Sequence, residues 1–237
     1  MKTIFIVICV IFEEFGMYKE SYYETIAATI SFKDEAKIPN AASIGIRIID
    51  DDLISVKSYL QTQTYHNVKK NKVLSFNLIE DVYQFALSSL KNENNGDLRG
   101  ILKDQFLYQN FTSENQVFEI PYLKNAWGVI FCKLIYQREI KNKDYLGKIE
   151  ACEFQFKVIE TKRLKESFKI FNRAENLALE VIILVTRMKV AKENNNQIIY
   201  SEINDKIQDY INTIEKLSKK DSILKTIEHI RKYLKSL

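Results

Sequence analysis

The sequence predicts an α+β chain, with a β-rich barrel or sandwich first and a small helical unit after it. Three observations predict this. Between residues 22 and 160, short β-branched and aromatic runs are separated by hairpin-length connections. Beyond residue 160, apolar residues recur three and four apart over long stretches. The 237 residues are 46% hydrophobic and 28% charged, which suits a substantial packed core. That content excludes disorder as the main character, and it excludes collagen-like and low-complexity chains.

The elements follow in order. Residues 3–12 form an apolar run too short to span a bilayer as a helix. Glu13-Glu14-Phe15-Gly16 supplies no small-x-small cleavage site. We read residues 1–16 as a mis-called start, with Met17 as initiator. An added strand or helix packed on the domain, and a weak membrane anchor, stay open as alternatives. No stable membrane insertion is expected. Residues 17–160 are expected to form the β domain and 161–237 the helical unit.

Tyr22–Phe32 reads as a strand. Residues 33–40 read as a polar connection closed by a Pro39-Asn40 turn, with a second strand over 41–49. Asp50-Asp51-Asp52 makes a tight turn into a strand over Leu53–Tyr59. A short helix follows to Asn71, with Thr64 as its N-cap. Lys72–Leu78 returns as a strand, and Asp81–Leu90 has the spacing of an amphipathic helix. Residues 91–116 are polar and read as a surface excursion. Residues 125–140 and 149–160 give two more strands, then Ala174–Val190, 201–217 and 221–235 give helices.

The net charge is only +4, but residues 161–237 carry sixteen basic and ten acidic side chains. We read that as a solvated helix surface and expect no nucleic-acid partner. Cys9, Cys132 and Cys152 are too few and too widely spaced for a disulfide framework or a zinc site. A cytoplasmic location and no metal are expected. His66 and His229 are the only histidines, and no GxSxG, P-loop, GxGxxG or HExxH occurs.

One constellation suits an anion. Arg47 ends a strand that starts with small residues, Asn40-Ala41-Ala42-Ser43. The next strand leads into Thr62-Gln63-Thr64-Tyr65-His66-Asn67, which opens a helix. Hydroxyls, free N–H groups and a positive dipole end would meet there, with a forked cation beside them. On spacing alone, Thr64 as a plain cap and Arg47 as a surface ion-pair residue are the favoured reading.

Taken in order, Glu24-Thr25-Ile26, Pro39 through Arg47, Thr62 through Asn67, Asn77 with Asp81, Phe171-Asn172-Arg173-Ala174, and Thr186-Arg187 resemble one family. It is the domain-of-unknown-function family 447, mainly archaeal, and the resemblance runs from about Tyr22 to about Ala191. The resemblance implies an FMN-binding split β-barrel followed by a small C-terminal helical unit, related to flavin reductases and pyridoxamine-phosphate oxidases. It implies a homodimer with FMN at the subunit interface.

By the same resemblance, Arg47, Thr62, Thr64 and Asn67 would hold the phosphate and ribityl chain, with Tyr65 packed beside them. The stretch Asn40, Ala41, Ala42, Ser43 and on to Gly45 would lie along the isoalloxazine ring. Asn172 and Arg173 would approach from the helical unit. The chain departs from the family's preferences at Ser43, Ile44, Gln61, Thr62 and Val82, where the family favours Pro, Met, Gly, Ser and Pro. The implied function is a redox-active, flavin-reductase-like protein of unknown substrate. A non-catalytic FMN binder, or an interaction module using the basic tail, are the alternatives. FMN is expected rather than FAD, since no Gly-rich turn for a pyrophosphate occurs.

Overall fold

The structure is a computed structural model, and it describes residues 11–34, 36–80, 82–89, 100–113, 116–144, 147–166, 172–193 and 195–236. Its strands are β1 (Tyr22–Lys33), β2 (Ala36–Asp50), β3 (Leu53–Tyr59), β4 (Val73–Leu78), β5 (Phe106–Ser113), β6 (Gln116–Leu123), β7 (Gly128–Asp144) and β8 (Gly147–Arg163). Its helices are α1 (Gln63–Asn71), α2 (Val82–Ser89), α3 (Arg173–Glu193), α4 (Gln197–Leu217) and α5 (Asp221–Ser236).

Six strands close into a barrel in the order β1-β2-β3-β8-β7-β4, and β5 and β6 form a separate two-stranded sheet. The interior is filled by the alternating apolar positions of the meander. Ile46 and Ile48 of β2, Ile54 and Val56 of β3, and Phe154 and Phe156 of β8 are all buried. Phe76 of β4 meets Phe156 edge-on at 5.7 Å between ring centroids.

β4 is buried along its whole length, although it carries Ser75 and Asn77. The β5–β6 sheet explains this. The Ser75 hydroxyl donates to Pro121 O at 2.6 Å. Asn77 Nδ2 donates to Ile26 O at 2.9 Å, and Leu123 N–H donates to Asn77 Oδ1 at 2.7 Å. The polar residues of β4 thus tie the small sheet down over it.

Residues 11–16 pack on the barrel. Phe12 and Phe15 are 1% and 4% exposed, and the Phe15 ring lies 5.7 Å from that of Trp127. Gly128 is small because it must be: a Cβ there would stand 2.7 Å from Phe15 Cε1 and 3.0 Å from Leu78 Cδ1.

The chain divides into two compact units, one of residues 1–17 and 24–170, the other of 18–23 and 171–237. In the second, α3, α4 and α5 bury Val181, Leu184 and Met188 against Ile207, Ile211, Ile214 and Ile227. The short leading segment of that unit is tied by Ser21 to Ser218 at 3.3 Å and by Lys220 over the Tyr18 ring at 5.2 Å.

Several expectations are corrected. Pro39-Asn40 is no turn; both lie inside β2, and the reversal uses Asp34 in the left-handed region at φ 48°. Proline is tolerated there because β2 pairs with β3 only from Ile46 onward, so Pro39 sits on an edge. The cap of helix α1 falls two residues earlier than expected, at Thr62, with Thr64 inside the helix. Lys72 is its left-handed C-cap at φ 64°, not strand. The polar stretch 91–116 contains β5 from Phe106 onward; the rest of it up to residue 99 lies outside the described residues. Trp127 through Cys132, and the apolar face of α3, are buried within one chain rather than left for a second.

Candidate functional site

The local build begins at the end of β3. Ser58 is buried, and its hydroxyl meets that of Thr62 at 2.9 Å. Thr62 Oγ1 donates to Tyr59 O at 2.8 Å and accepts from Tyr65 N–H at 3.2 Å, which caps α1. The first N–H groups of α1, those of Gln63 and Thr64, have no acceptor inside the helix.

The first turn of α1 is pinned to the barrel by a polar network. Asn40 Nδ2 of β2 donates to Thr64 Oγ1 at 3.2 Å and lies 3.4 Å from Thr29 Oγ1 of β1. Asn67 Nδ2 donates to the same Thr29 hydroxyl at 2.9 Å, and Gln63 Nε2 donates to Asn67 Oδ1 at 2.7 Å. Thr29, Thr64 and Asn67 are buried. Three of these five residues, Asn40, Thr64 and Asn67, were predicted from sequence; Thr29 was not.

Beside this network lies a cleft of about 600 Å³. Asn40, Ala41 and Gln63 line it, bringing two separate sequence motifs to one place. Phe32, Ile38, Pro39 and Ile101 supply apolar walls, and Lys33 and Lys103 supply charge. Phe32 remains 48% exposed. Sequence reasoning missed Phe32, Lys33, Ile101 and Lys103. The first two sit in a stretch read as strand end and turn, the others near the edge of the polar excursion.

The other predicted residues lie in different surroundings. Ser43 turns toward α2, where its hydroxyl donates to Phe85 O at 3.1 Å and meets the Ser88 hydroxyl at 2.5 Å. Ala42, next to it on β2, is half-buried. At Gly45 a Cβ would meet Glu24 Oε1 at 3.5 Å, an ordinary contact. Arg47 pairs with Ser55 across the β2–β3 ladder. From Ser55 to Tyr59, where β3 ends, the strand advances about 13 Å.

Tyr65 is 6% exposed and packs on Phe154 at 5.9 Å between ring centroids. Its hydroxyl donates to Glu139 Oε1 at 3.2 Å and accepts from Lys69 Nζ at 2.8 Å. The hydrogen bond to Tyr65 holds the Lys69 amine above its ordinary value, with Glu139 adding a smaller push. Asn172 belongs to the helical unit, where its Oδ1 accepts from Ala174 N–H at 2.9 Å and Glu175 N–H at 3.3 Å and caps α3. Arg173 is exposed in the first turn of that helix.

Burial pushes the Cys132 thiol well above its ordinary value and raises that of Cys152 as well. Among the described residues, no group of three or more His, Cys, Asp or Glu side chains gathers to hold a metal. Among them, too, no helix is long and apolar enough to cross a membrane.

The chain is similar to an uncharacterised protein of Methanocaldococcus jannaschii, 25% identical over 178 residues, which is 75% of this chain and 82% of that one. Among solved structures, it is similar to an FMN-bound protein of Methanosarcina mazei from the DUF447 family. That match has 23% identity and a TM-score of 0.49, and it covers 93% of this chain and 98% of the other. A flavin reductase domain protein of Arthrobacter matches at 8% identity and TM-score 0.45, over 64% of this chain and 83% of the other. The model of the family described as protein of unknown function (DUF447), N-terminal domain, matches residues 23–162, and the chain belongs to that family.

Proposed function

We propose that this chain is an FMN-binding split-barrel flavoprotein with redox activity of the flavin-reductase kind. The observation that carries the reading is the meeting of Asn40 and Ala41 with Gln63 at one cleft of about 600 Å³. Those residues come from the two motif segments that the family resemblance assigns to the flavin. The family also contains an FMN-bound member, the Methanosarcina mazei protein.

The cleft fits the cofactor on its own chemistry. Its volume lies in the usual range for small-molecule sites, about 300–1,000 Å³. Phe32, Ile38 and Ile101 suit a flat ring, and two lysines suit a phosphate. Ala41 keeps the wall short where a ring would approach β2. Asn40 is held in one orientation by Thr29 and Thr64. Bound FMN would supply the electron chemistry. The chain's residues would bind and orient it and exclude water from one face. No nucleophile from the chain is required.

A homodimer belongs to the same proposal. β7 pairs with β4 only as far as Lys133, so from Ile135 onward one edge of the long β7–β8 hairpin lacks a strand neighbour among the described residues. Ile135 and Tyr136 on that stretch are 52% and 45% exposed. A two-fold partner would cover such an edge.

The test is the ligand carried by protein purified from a native-like host, released by denaturation and identified by absorbance and mass spectrometry. FMN is the expected result; FAD alone, or no flavin even after reconstitution, refutes the reading. Oxidation of NADH or NADPH by the flavin-loaded protein checks the redox part. Light scattering should give close to twice 27.9 kDa.

A further inference from the structure

We propose that a second cleft, walled by β1, β4 and the β5–β6 sheet, binds an uncharged flat ring that carries carbonyl groups, a ligand of the quinone kind. Phe32 lines this cleft and the first one alike. Such a ring would therefore be a second substrate beside the flavin, and in that role the proposal rests on the flavin reading; the binding itself does not need it.

The apolar walls come first. The cleft has a volume of about 420 Å³, within the range of small-molecule sites. Ile30 of β1 and Val73 of β4 line it and are buried. Phe32 of β1 and Val117 of β6 line it as well, yet they are 48% and 68% exposed. Val117 is the most exposed large apolar side chain described in the barrel unit. Apolar residues of two separate strands are thus left in water along one cleft, and a ring seated there would take both out of it.

The polar groups set the ligand class. Lys37 of β2 and Glu119 of β6 are the charged residues among those described along the cleft, and they pair with each other at 2.6 Å. The Lys37 ammonium also stands 5.8 Å from the centroid of the Tyr108 ring. A charged ligand would have to break into that pair, whereas a neutral one leaves it whole. Lys133 lies over the Phe118 ring at 5.5 Å and does not itself line the cleft.

Two carboxamides complete the lining. Asn71, the last residue of α1, donates from Nδ2 to Ile30 O at 2.6 Å, which holds its amide in place and leaves it a second N–H. Asn110 of β5 brings another amide from the opposite side of the chain's small sheet. Amide N–H groups donate to carbonyl oxygens without adding charge. Two such donors among apolar walls suit a carbonyl-bearing ring better than a sugar, which needs many more polar partners, or an ion, which needs a counter-charge.

Equilibrium dialysis of the full chain tests this with two probes, uncharged hydroxymethylanthraquinone and anionic anthraquinone sulfonate. The parent should bind the uncharged probe about tenfold more tightly than the sulfonate. Asn110→Ala should weaken the uncharged probe about fivefold. Val117→Glu places a charge at an exposed position of the wall and should abolish its binding, with the far-ultraviolet circular dichroism unchanged. Glu119→Gln leaves the Lys37 ammonium without its carboxylate and should raise sulfonate affinity about tenfold, a gain that the Lys37→Gln/Glu119→Gln double variant should not show.

FMN is titrated against the same proteins. If the uncharged probe binds with these sensitivities but no flavin does, the flavin reading falls and the second cleft stands. The proposal is overturned if the uncharged probe does not bind, if both probes bind equally to the parent, or if Asn110→Ala and Val117→Glu leave its binding unchanged. It is likewise overturned if Glu119→Gln brings no gain in sulfonate affinity.

Discussion

Gly128 and Phe15 form a test of whether the segment before Met17 is part of the fold. A Cβ at position 128 would stand 2.7 Å from Phe15 Cε1, closer than real Cβ contacts come. Gly128→Ala therefore overpacks the site, at a cost of about 1–3 kcal/mol. Phe15→Ala removes a ring that is 4% exposed and packed against Trp127, which costs about 3–5 kcal/mol. The two effects must couple, because the clash needs the ring. In the Phe15→Ala background, Gly128→Ala should cost little beyond its 3.0 Å approach to Leu78 Cδ1, and it partly refills the cavity. The double variant should then be more stable than the sum of the singles by about 1–2 kcal/mol. Urea unfolding of the four proteins, followed by Trp127 fluorescence, measures this directly. Strict additivity would mean that Phe15 does not touch Gly128. Deleting residues 1–16 would remove Phe12 as well and should cost at least as much as Phe15→Ala; an equally stable truncated chain would refute the reasoning.

Other outcomes follow from single contacts. Asn77→Ala leaves the buried Leu123 N–H and Ile26 carbonyl without their partner, so a loss of about 3 kcal/mol is expected, with faster amide exchange at Leu123. Thr62→Ala removes the cap of α1 and a partner of Ser58, and should lower the unfolding free energy by about 1 kcal/mol in chemical denaturation. Cys132 is buried and its thiol is held protonated, whereas the unfolded chain ionises at the ordinary thiol value. Stability should therefore be full below that value and fall as the pH rises above it. Cys132→Ala should flatten this alkaline limb in unfolding midpoints measured against pH.

The strands and long helices were legible because each carries a period that burial imposes. Ile46, Ile48, Ile54 and Val56 alternate because every second residue faces the barrel interior. What failed was punctuation. Pro39-Asn40 is a turn signal in isolation, yet β2 runs straight through it, since an edge position asks nothing of the missing N–H. The left-handed residue that makes the reversal is Asp34, which sequence alone does not distinguish from any other polar residue nearby. β5 and β6 were missed for a related reason. Residues 107 and 108 and residue 117 are exposed, so the small sheet shows little of the alternation that marks a half-buried strand.

The site shows the same division between local and assembled signals. Asn40, Thr64 and Asn67 could be picked out because motif spacing fixes them, and the structure does bring them together through Thr29. Thr29 carries no local mark. It is a threonine inside a strand of threonines and isoleucines, and only the closure of β1 beside β2 and α1 gives its hydroxyl two amide donors. Lys33 and Lys103 are harder still to see, because an exposed lysine at a strand end is among the commonest features of any surface. What they share is one cleft, and that is a property of the folded cavity. An Arg at the end of a small-residue strand draws the eye as a phosphate ligand for good chemical reasons. The ladder nevertheless places Arg47 opposite Ser55, four residues short of the end of β3. Strand register, which a motif does not encode, sets that position.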